Sequence, residues 1–396
     1  MSRYFLAALL PLLALLSWKL AVSQTSVPGP RVAGARPTIE ARDYPSLQAA
    51  LDALPAEGGV VRLPPGTFEI DRPLKITRQD VLIEGSGTAT HIKNTNTAGL
   101  PAIEIDNPER QTNTRATLWR VQLQNLRITG NEKSGHGIVA RHVDEIFLHG
   151  LSVSYHGGDG IYLDHCYEDP RVCDCLLTYN KGSGLHLNGC HDIVVVGNQF
   201  EENLDALFCH DGFNLCMTGN NLDDHLRHGV VIENTYGSVV SGNMIEECQG
   251  IAIILDRDCY GITLSSNVIA HEVAGGIDLR DAHGCAVSAN TFPIVKQDAL
   301  RIGPASSRIA VTGNAFASSF IGEGKDKRAA NDRSAAGIVL ASTSDIAVSG
   351  NLFAGLSTKA VTLEGERARR VLFSSNVVTE SASDHGKLPQ TGPNLE

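Results

Sequence analysis

The chain has 396 residues, a formal net charge of −11, 39 glycines and only 5% aromatic residues. There is no basic block and no aromatic–basic interleaving, which excludes nucleic acid as the expected partner. Few aromatics and many glycines suit thin stacked coils better than a thick globular core, so the length is readable as one domain.

At the N-terminus, Arg3 precedes the apolar run Tyr4–Leu16, and Ala21-Val22-Ser23 offers small residues before Gln24. Residues 1–23 read as a signal peptide, so the mature protein is expected to be secreted, periplasmic or extracellular, with no membrane contact after cleavage. Residues 24–37 are rich in Pro and Gly and read as a linker. Next, Ser46 can cap a short helix whose Leu47, Ala50, Leu51 and Leu54 share one stripe, closing one end of an apolar tube. Two strands follow, with Pro64-Pro65-Gly66 between them. Residues 95–118 read as irregular and as overhanging a groove.

From there a phrase of alternating apolar residues, a turn residue and Asn returns, as in IVVVGNQF at 193 and AVSGNLF at 347. Asn198, Asn220, Asn243, Asn267, Asn290 and Asn314 recur 22 to 24 residues apart. A second phrase keeps the same beat, with GIYL at 160, GLHL at 184, GVVI at 229, GIAI at 250 and GIDL at 276. A fixed period of short strands predicts a β-solenoid. Coils stack about 4.8 Å apart, so an inward Asn can donate to one neighbour and accept from the other. Small Gly or Ala at the phase-locked positions is assigned to tight turns. The period breaks between Asn314 and Asn351, where the charged segment 321–335 reads as a protruding loop, and residues 379–396 read as a disordered tail.

The segment SLQAALDALPAEGGVVRLPPGTF (46–68), followed by VLIEGSG (81–87), resembles the entry of the pectate-lyase-like superfamily of right-handed parallel β-helices. The resemblance implies an all-β right-handed parallel β-helix over residues 38–378, here of about ten to twelve coils with an N-terminal capping helix. It also implies polysaccharide as the partner, because members include lyases, hydrolases, C5-epimerases and noncatalytic binders; fold does not choose among them. Gly135-His136-Gly137 is similar to a fragment of the polygalacturonase pattern whose other elements are missing. Asp169-Pro170-Arg171 is similar to the epimerase Asp-Pro-His motif, with Arg where His belongs. Neither subfamily is assigned.

Twelve of fourteen histidines lie between His136 and His283. The strand alternation places Val139, Tyr162, His186, Phe208, Val231, Asp278 and Arg301 in one outward column. Arg141, Asp164, Asn188, His210, Glu233 and Arg280 form a second, with the coil at 250–260 expected to shift register and put Asp256 or Arg257 in the gap. An exposed face of this kind is where the superfamily holds extended polysaccharide. β-Elimination at a uronic acid needs a carboxylate neutraliser, a base for the C5 proton and an acid for the leaving oxygen; epimerisation needs the same parts. The assignment is His186 as base, Tyr162 as acid, Asn188 or Arg141 as neutraliser and His210 as second base, with Asp164, Phe208, Glu233, Asp278 and Arg280 binding substrate. The competing reading of each residue is solvated decoration, and of Asp256, Asp278, Asp281, Arg257 and Arg280 a charge-paired ladder. A glycoside hydrolase is the alternative: Asp164 and Glu233, about 14 Å apart, are too far for it, leaving Asp256 with Asp278. A noncatalytic glycan-binding protein is the third reading.

A second pocket is expected at His156–Asp159, at Asp223-Asp224-His225 with His228, and at His271-Glu272. No metal is assigned; calcium is the one cofactor the acids leave open. Nine cysteines show no zinc spacing and read mostly as small inward fillers, with Cys166 and Cys190 at one phase and able to bridge coils. A monomer is expected.

Overall fold

The computed structural model describes residues 32–318, 335–366 and 368–381. The expected signal peptide, most of the linker, the charged insertion before Ala335 and the tail beyond Ser381 lie outside the described residues. The unit from Pro37 onward is an all-β parallel solenoid.

Each coil contributes a short strand to three faces. One face is a twelve-stranded parallel sheet running from Leu74–Ile76 to Val361–Glu364. The other two merge into a single 27-stranded sheet, because strands such as Val121–Thr129 and Phe147–Ser154 run across the bend between them. There are about 14 turns rather than ten to twelve. The difference lies at the N-terminal end, where the rungs Thr38–Glu40, Gly59–Arg62 and Val81–Glu84 lack the Asn phrase from which coils are countable in the sequence. Residues 95–118 are also more regular than expected: Ile103–Ile105 is a rung of the twelve-stranded sheet, followed by a 3-10 turn at Pro108–Gln111.

The repeated phrase has a direct structural meaning. The residue before each ladder Asn is left-handed, with φ of 68° at Gly197, 66° at Gly219 and 67° at Gly242, which explains the preference for glycine there. The Asn that follows points inward. From Asn198 to Asn376, each Nδ2 donates to the Oδ1 of the next Asn at 2.9–3.0 Å. The same amides donate to carbonyls of the coil before, including Val172 and Val195. The ladder passes from Asn314 to Asn351 without a break, so the insertion between them leaves the stacking intact.

The second phrase works differently from the tight turn expected of it. Its glycines have ordinary φ and are required by close approach between coils: a Cβ on Gly229 would stand 2.4 Å from the Ala252 carbonyl oxygen, and one on Gly276 2.3 Å from that of Ala299. From Gly184 onward Gly and Ala alternate coil by coil through Ala206, Gly229, Ala252, Gly276, Ala299, Gly337 and Ala360.

The cap is a helix at Leu47–Asp52, with Ser46 Oγ accepting from the Ala49 N–H at 3.1 Å and Leu47, Ala50 and Leu51 buried. Gln48 exchanges two hydrogen bonds with the Lys75 backbone, at 2.8 and 3.1 Å, and so satisfies the first rung of the twelve-stranded sheet.

Candidate functional site

The strands Ile138–Arg141, Ile161–Asp164, Leu185–Asn188, Asp205–His210 and His228–Glu233 pair in parallel register. Val139, Tyr162, His186, Phe208 and Val231 stand above one another, as do Arg141, Asp164, Asn188, His210 and Glu233. Beyond Glu233, Asp256 fills the gap in the second column as expected, and Ile254 takes the first. The packing phrase in that coil is Ala252–Leu255, and the similar pattern starting at Gly250 sits two residues too early. Val139, Val231 and Ile254 are 1%, 6% and 1% exposed, which leaves Tyr162, His186 and Phe208 as a cluster of rings between buried aliphatic side chains. Asp278 and Arg301 continue that column.

At the centre, His186 Nδ1 donates to Asp159 Oδ2 at 3.0 Å, which leaves Nε2 as the free acceptor. Its ring lies edge-on between Tyr162, 4.8 Å away, and Phe208, 4.9 Å away. Asp159 is almost buried, and its Oδ1 accepts from the Ser183 N–H at 2.7 Å. Burial works to raise the Asp159 pKa, but the adjoining His136 and His186 rings outweigh it and hold the carboxylate well below its usual range. His136 Nδ1 accepts from the Asp159 N–H at 2.9 Å, and its ring stacks on Tyr162 at 5.3 Å. Burial and the Asp164 charge raise the Tyr162 pKa, so the phenol stays protonated at neutral pH. The Asp159–His186 pair, with Tyr162 beside it, is the arrangement of an oriented base next to an acid.

The remaining predicted residues are more heavily engaged. Asn188 Nδ2 donates to Asp164 Oδ1 at 2.9 Å, and that oxygen also lies 2.7 Å from His165 Nδ1. Burial opposes these bonds, yet they keep Asp164 below its usual pKa. Arg141 Nη1 donates to Glu104 Oε1 at 3.0 Å. His210 stacks on Phe208 and lies between Asp211 and Glu233, at 3.2 and 3.6 Å. Glu233 is also paired with Arg257 at 3.2 Å. Arg280 joins Asp278 at 2.8 Å and Asp256 at 3.7 Å, so the pair considered for hydrolysis shares one guanidinium and forms the charge ladder instead.

At the expected second pocket a cleft is lined by Tyr155, His156, Tyr179, Asn180, Lys181 and Leu226, and it does not include Asp159, His228 or Glu272. His156, His225 and Glu272 are fully buried in the lumen, one below another with Asn180, Asn203 and Cys248 between them. Each follows a left-handed corner residue, Tyr155, Asp224 and His271, that turns it inward. Burial lowers the pKa of His156 and of His225 to about 4, and raises that of Glu272 to about 9. Asp159 belongs to the strip, whereas Asp205 is buried and held by Arg227, with Nε to Oδ1 at 2.9 Å. The sequence pattern placed Asp159 in the second pocket; the signal that places it with His186 is its fixed position three residues before Tyr162, one coil away.

All nine cysteines are free, including Cys166 and Cys190, whose thiols donate to the Ala140 and Leu163 carbonyls instead of to each other. Seven are buried, while Cys173 is half-buried and Cys216 exposed. Among the described residues, the donor atoms of Glu246, Glu247 and His271 lie within 4.8 Å of one another, away from the strip.

Comparisons with known proteins agree with this architecture. Residues 74–212 match the family described as right handed beta helix region, and residues 201–331 match NosD, periplasmic copper-binding protein. No curated protein matches the chain. A family 28 exopolygalacturonase of Yersinia enterocolitica aligns with a TM-score of 0.65 at 10% identity, over 87% of this chain and 80% of that one. Tailspike protein 3 of bacteriophage CBA120 aligns at 0.61 and 13%, over 96% and 69%. The periplasmic alginate epimerase AlgG, as a double mutant, aligns at 0.53 and 11%, over 88% and 84%. The chain spans 57% of the length of the Geobacillus virus E2 ORF18 protein, at 16% identity. The chain has the fold of the pectate-lyase-like right-handed parallel β-helix proteins, with no subfamily assigned.

The span matched to the copper-binding NosD family holds five cysteines. Cys209, Cys248, Cys259 and Cys285 are buried, and burial raises their pKa values, so they stay protonated; Cys216 is exposed, and the convergent set among the described residues is one imidazole with two carboxylates, without a thiol. These residues do not fit a thiolate-rich copper(I) site. No step of the chemistry below passes through a metal.

Proposed function

We propose that this protein is an exported enzyme that binds an acidic polysaccharide along the outward face of the twelve-stranded sheet and abstracts the C5 proton of a uronic acid residue. The Asp159–His186 hydrogen bond beside Tyr162 carries this reading. His186 Nε2 takes the C5 proton while Asp159 holds the ring in the productive tautomer and balances the imidazolium that forms. In β-elimination the C5–H electron pair forms the C4=C5 double bond, the C4–O bond breaks, and Tyr162 gives its proton to the departing oxygen. In epimerisation Tyr162 instead returns a proton to the opposite face of C5 and the glycosidic bond stays. Arg141 and the Asn188 amide are the groups available to the substrate carboxylate, and Phe208 offers a ring face to the sugar.

The test is ultraviolet absorbance of the mature protein against alginate, pectate, glycosaminoglycans and sulfated glycans, followed by NMR of the recovered polymers. Elimination gives a rising absorbance, and epimerisation gives solvent deuterium at C5 without it; either should vanish in His186→Ala. No absorbance and no deuterium uptake across the panel would overturn the reading and leave a noncatalytic binder.

A further inference from the structure

Around the turn from the strip, six successive coils place a ring at one outward position: Tyr167, His191, Phe213, Tyr236, Tyr260 and His283. The last five are linked in parallel register. Tyr167 and His191 have ring centroids 4.6 Å apart, and His191 and Phe213 5.7 Å apart. Phe213 is 43% exposed and Tyr260 55%. The lumen beneath is already filled by Cys166, Cys190, Thr235, Cys259 and Ala282, all buried, so the rings are not needed to complete the core. Outward positions of a solenoid ordinarily carry polar side chains, and a register-matched run of rings across six coils, touching one another from Tyr167 to Phe213, marks a binding surface.

We propose that this column is a second glycan-binding strip, for a linear, extended, uncharged polysaccharide lying parallel to the solenoid axis. Coils about 4.8 Å apart make the column roughly 24 Å long, with room for several consecutive sugar rings. The C–H face of a pyranose packs on an aromatic ring, and a row of rings holds successive units as aromatic platforms hold successive bases. The flanks select the ligand. On one side stand Asp211, Asn234, Asp258 and Asp281; on the other, Asp192 and Asn214 give way to Gly237, Gly261 and Gly284, whose missing side chains leave the rings open from that edge. Neither flank contains Lys or Arg. Carboxylates and amides accept hydrogen bonds from sugar hydroxyls but repel nucleic acid, polyuronates and a second copy of this acidic chain. The rim is ordered for this: Asn214 Nδ2 donates to Asp192 at 2.8 Å, and the Tyr236 hydroxyl donates to Asn234 at 3.0 Å.

The experiment is affinity electrophoresis of the mature protein in soluble mixed-linkage β-glucan and xyloglucan, with sedimentation on cellulose and chitin, and polygalacturonate and alginate alongside. Retention by at least one neutral glycan is expected, falling tenfold or more in the Phe213→Ala/Tyr236→Ala/Tyr260→Ala variant and persisting in His186→Ala, which separates this strip from the catalytic proposal. Tyr260→Ser alone, at an exposed ring, should weaken retention at least threefold should the triple variant lose its β-sheet circular dichroism. The proposal is overturned by no retention on any neutral glycan, by unchanged retention in a folded triple variant, by loss of polyuronate binding instead, or by a dimer in light scattering that the triple variant abolishes.

Discussion

At the scale of single residues, the proposed catalytic site depends on one carboxylate below the strip. Asp159 is hydrogen-bonded to His186, so in that proposal its removal should change the proton position on the imidazole more than the shape of the groove. Asp159→Asn is expected to lower kcat by roughly 10²–10⁴-fold with little change in KM, measured on whichever polyuronate the absorbance screen identifies. His210→Ala should cost far less, because that ring is shared between Asp211 and Glu233. The alternation of the strands makes Tyr162, His186 and Asn188 legible as one face. The Asp159 partnership was not legible, because it joins residue n of one coil to residue n + 3 of another across a corner whose geometry the sequence does not display.

At the scale of the element, two inward columns set stability. The Asn ladder is a chain of mutually satisfied amides, and removing one member takes hydrogen bonds from both neighbours. Asn243→Ala should destabilise by about 2–4 kcal/mol in urea unfolding, because it takes the acceptor from the Asn220 backbone N–H in the lumen and removes the side-chain bonds to Asn220 and Asn267. The column of His156, His225 and Glu272 makes stability depend on pH. The unfolded chain titrates its histidines near 6.5 and its glutamates near 4.3. From about pH 4.3 to 6.5 the unfolded chain holds two protons on His156 and His225, where the folded chain holds one on Glu272, so stability rises with pH. Above 6.5 only the folded chain keeps the Glu272 proton, and stability falls. Thermal unfolding should therefore show a maximum near pH 6.5 and lose about 2–3 kcal/mol by pH 8.5, where unfolded thiols begin to titrate. Glu272→Gln should abolish the alkaline decline while leaving the acid limb in place.

At the scale of the whole molecule, the solenoid is a one-dimensional stack in which each coil is stabilised by its two neighbours. Such a stack has open ends, and the helix Leu47–Asp52 closes one of them by burying Leu47, Ala50 and Leu51. Leu51→Asp is expected to expose the first rungs and drive end-to-end association, seen as higher oligomers in light scattering at neutral pH while the β-sheet circular dichroism of the remaining coils persists. The same modularity explains why a long insertion between Asn314 and Asn351 leaves the ladder unbroken: a coil that keeps its rungs tolerates extra chain at a turn.

What the sequence determined by itself was everything that repeats. A period of about 23 residues, inward apolar alternation and the Asn phrase are local patterns, and stacking forces each onto the same place in every coil, so fold, ladder and the two outward columns through Glu233 follow from them. Tertiary structure decided what depends on corners and on neighbouring coils. It set the register at Ala252–Leu255, where two equivalent Gly- or Ala-led phrases compete and packing against Gly229 and Gly276 selects one. It turned His225 and Glu272 into the lumen, because a left-handed residue before each reverses the side on which the next side chain falls. It also brought Asp159 under His186. Left-handed corners shift the inside–outside alternation by one residue, and the sequence alone does not mark where non-glycine residues such as Asp224 and His271 adopt them.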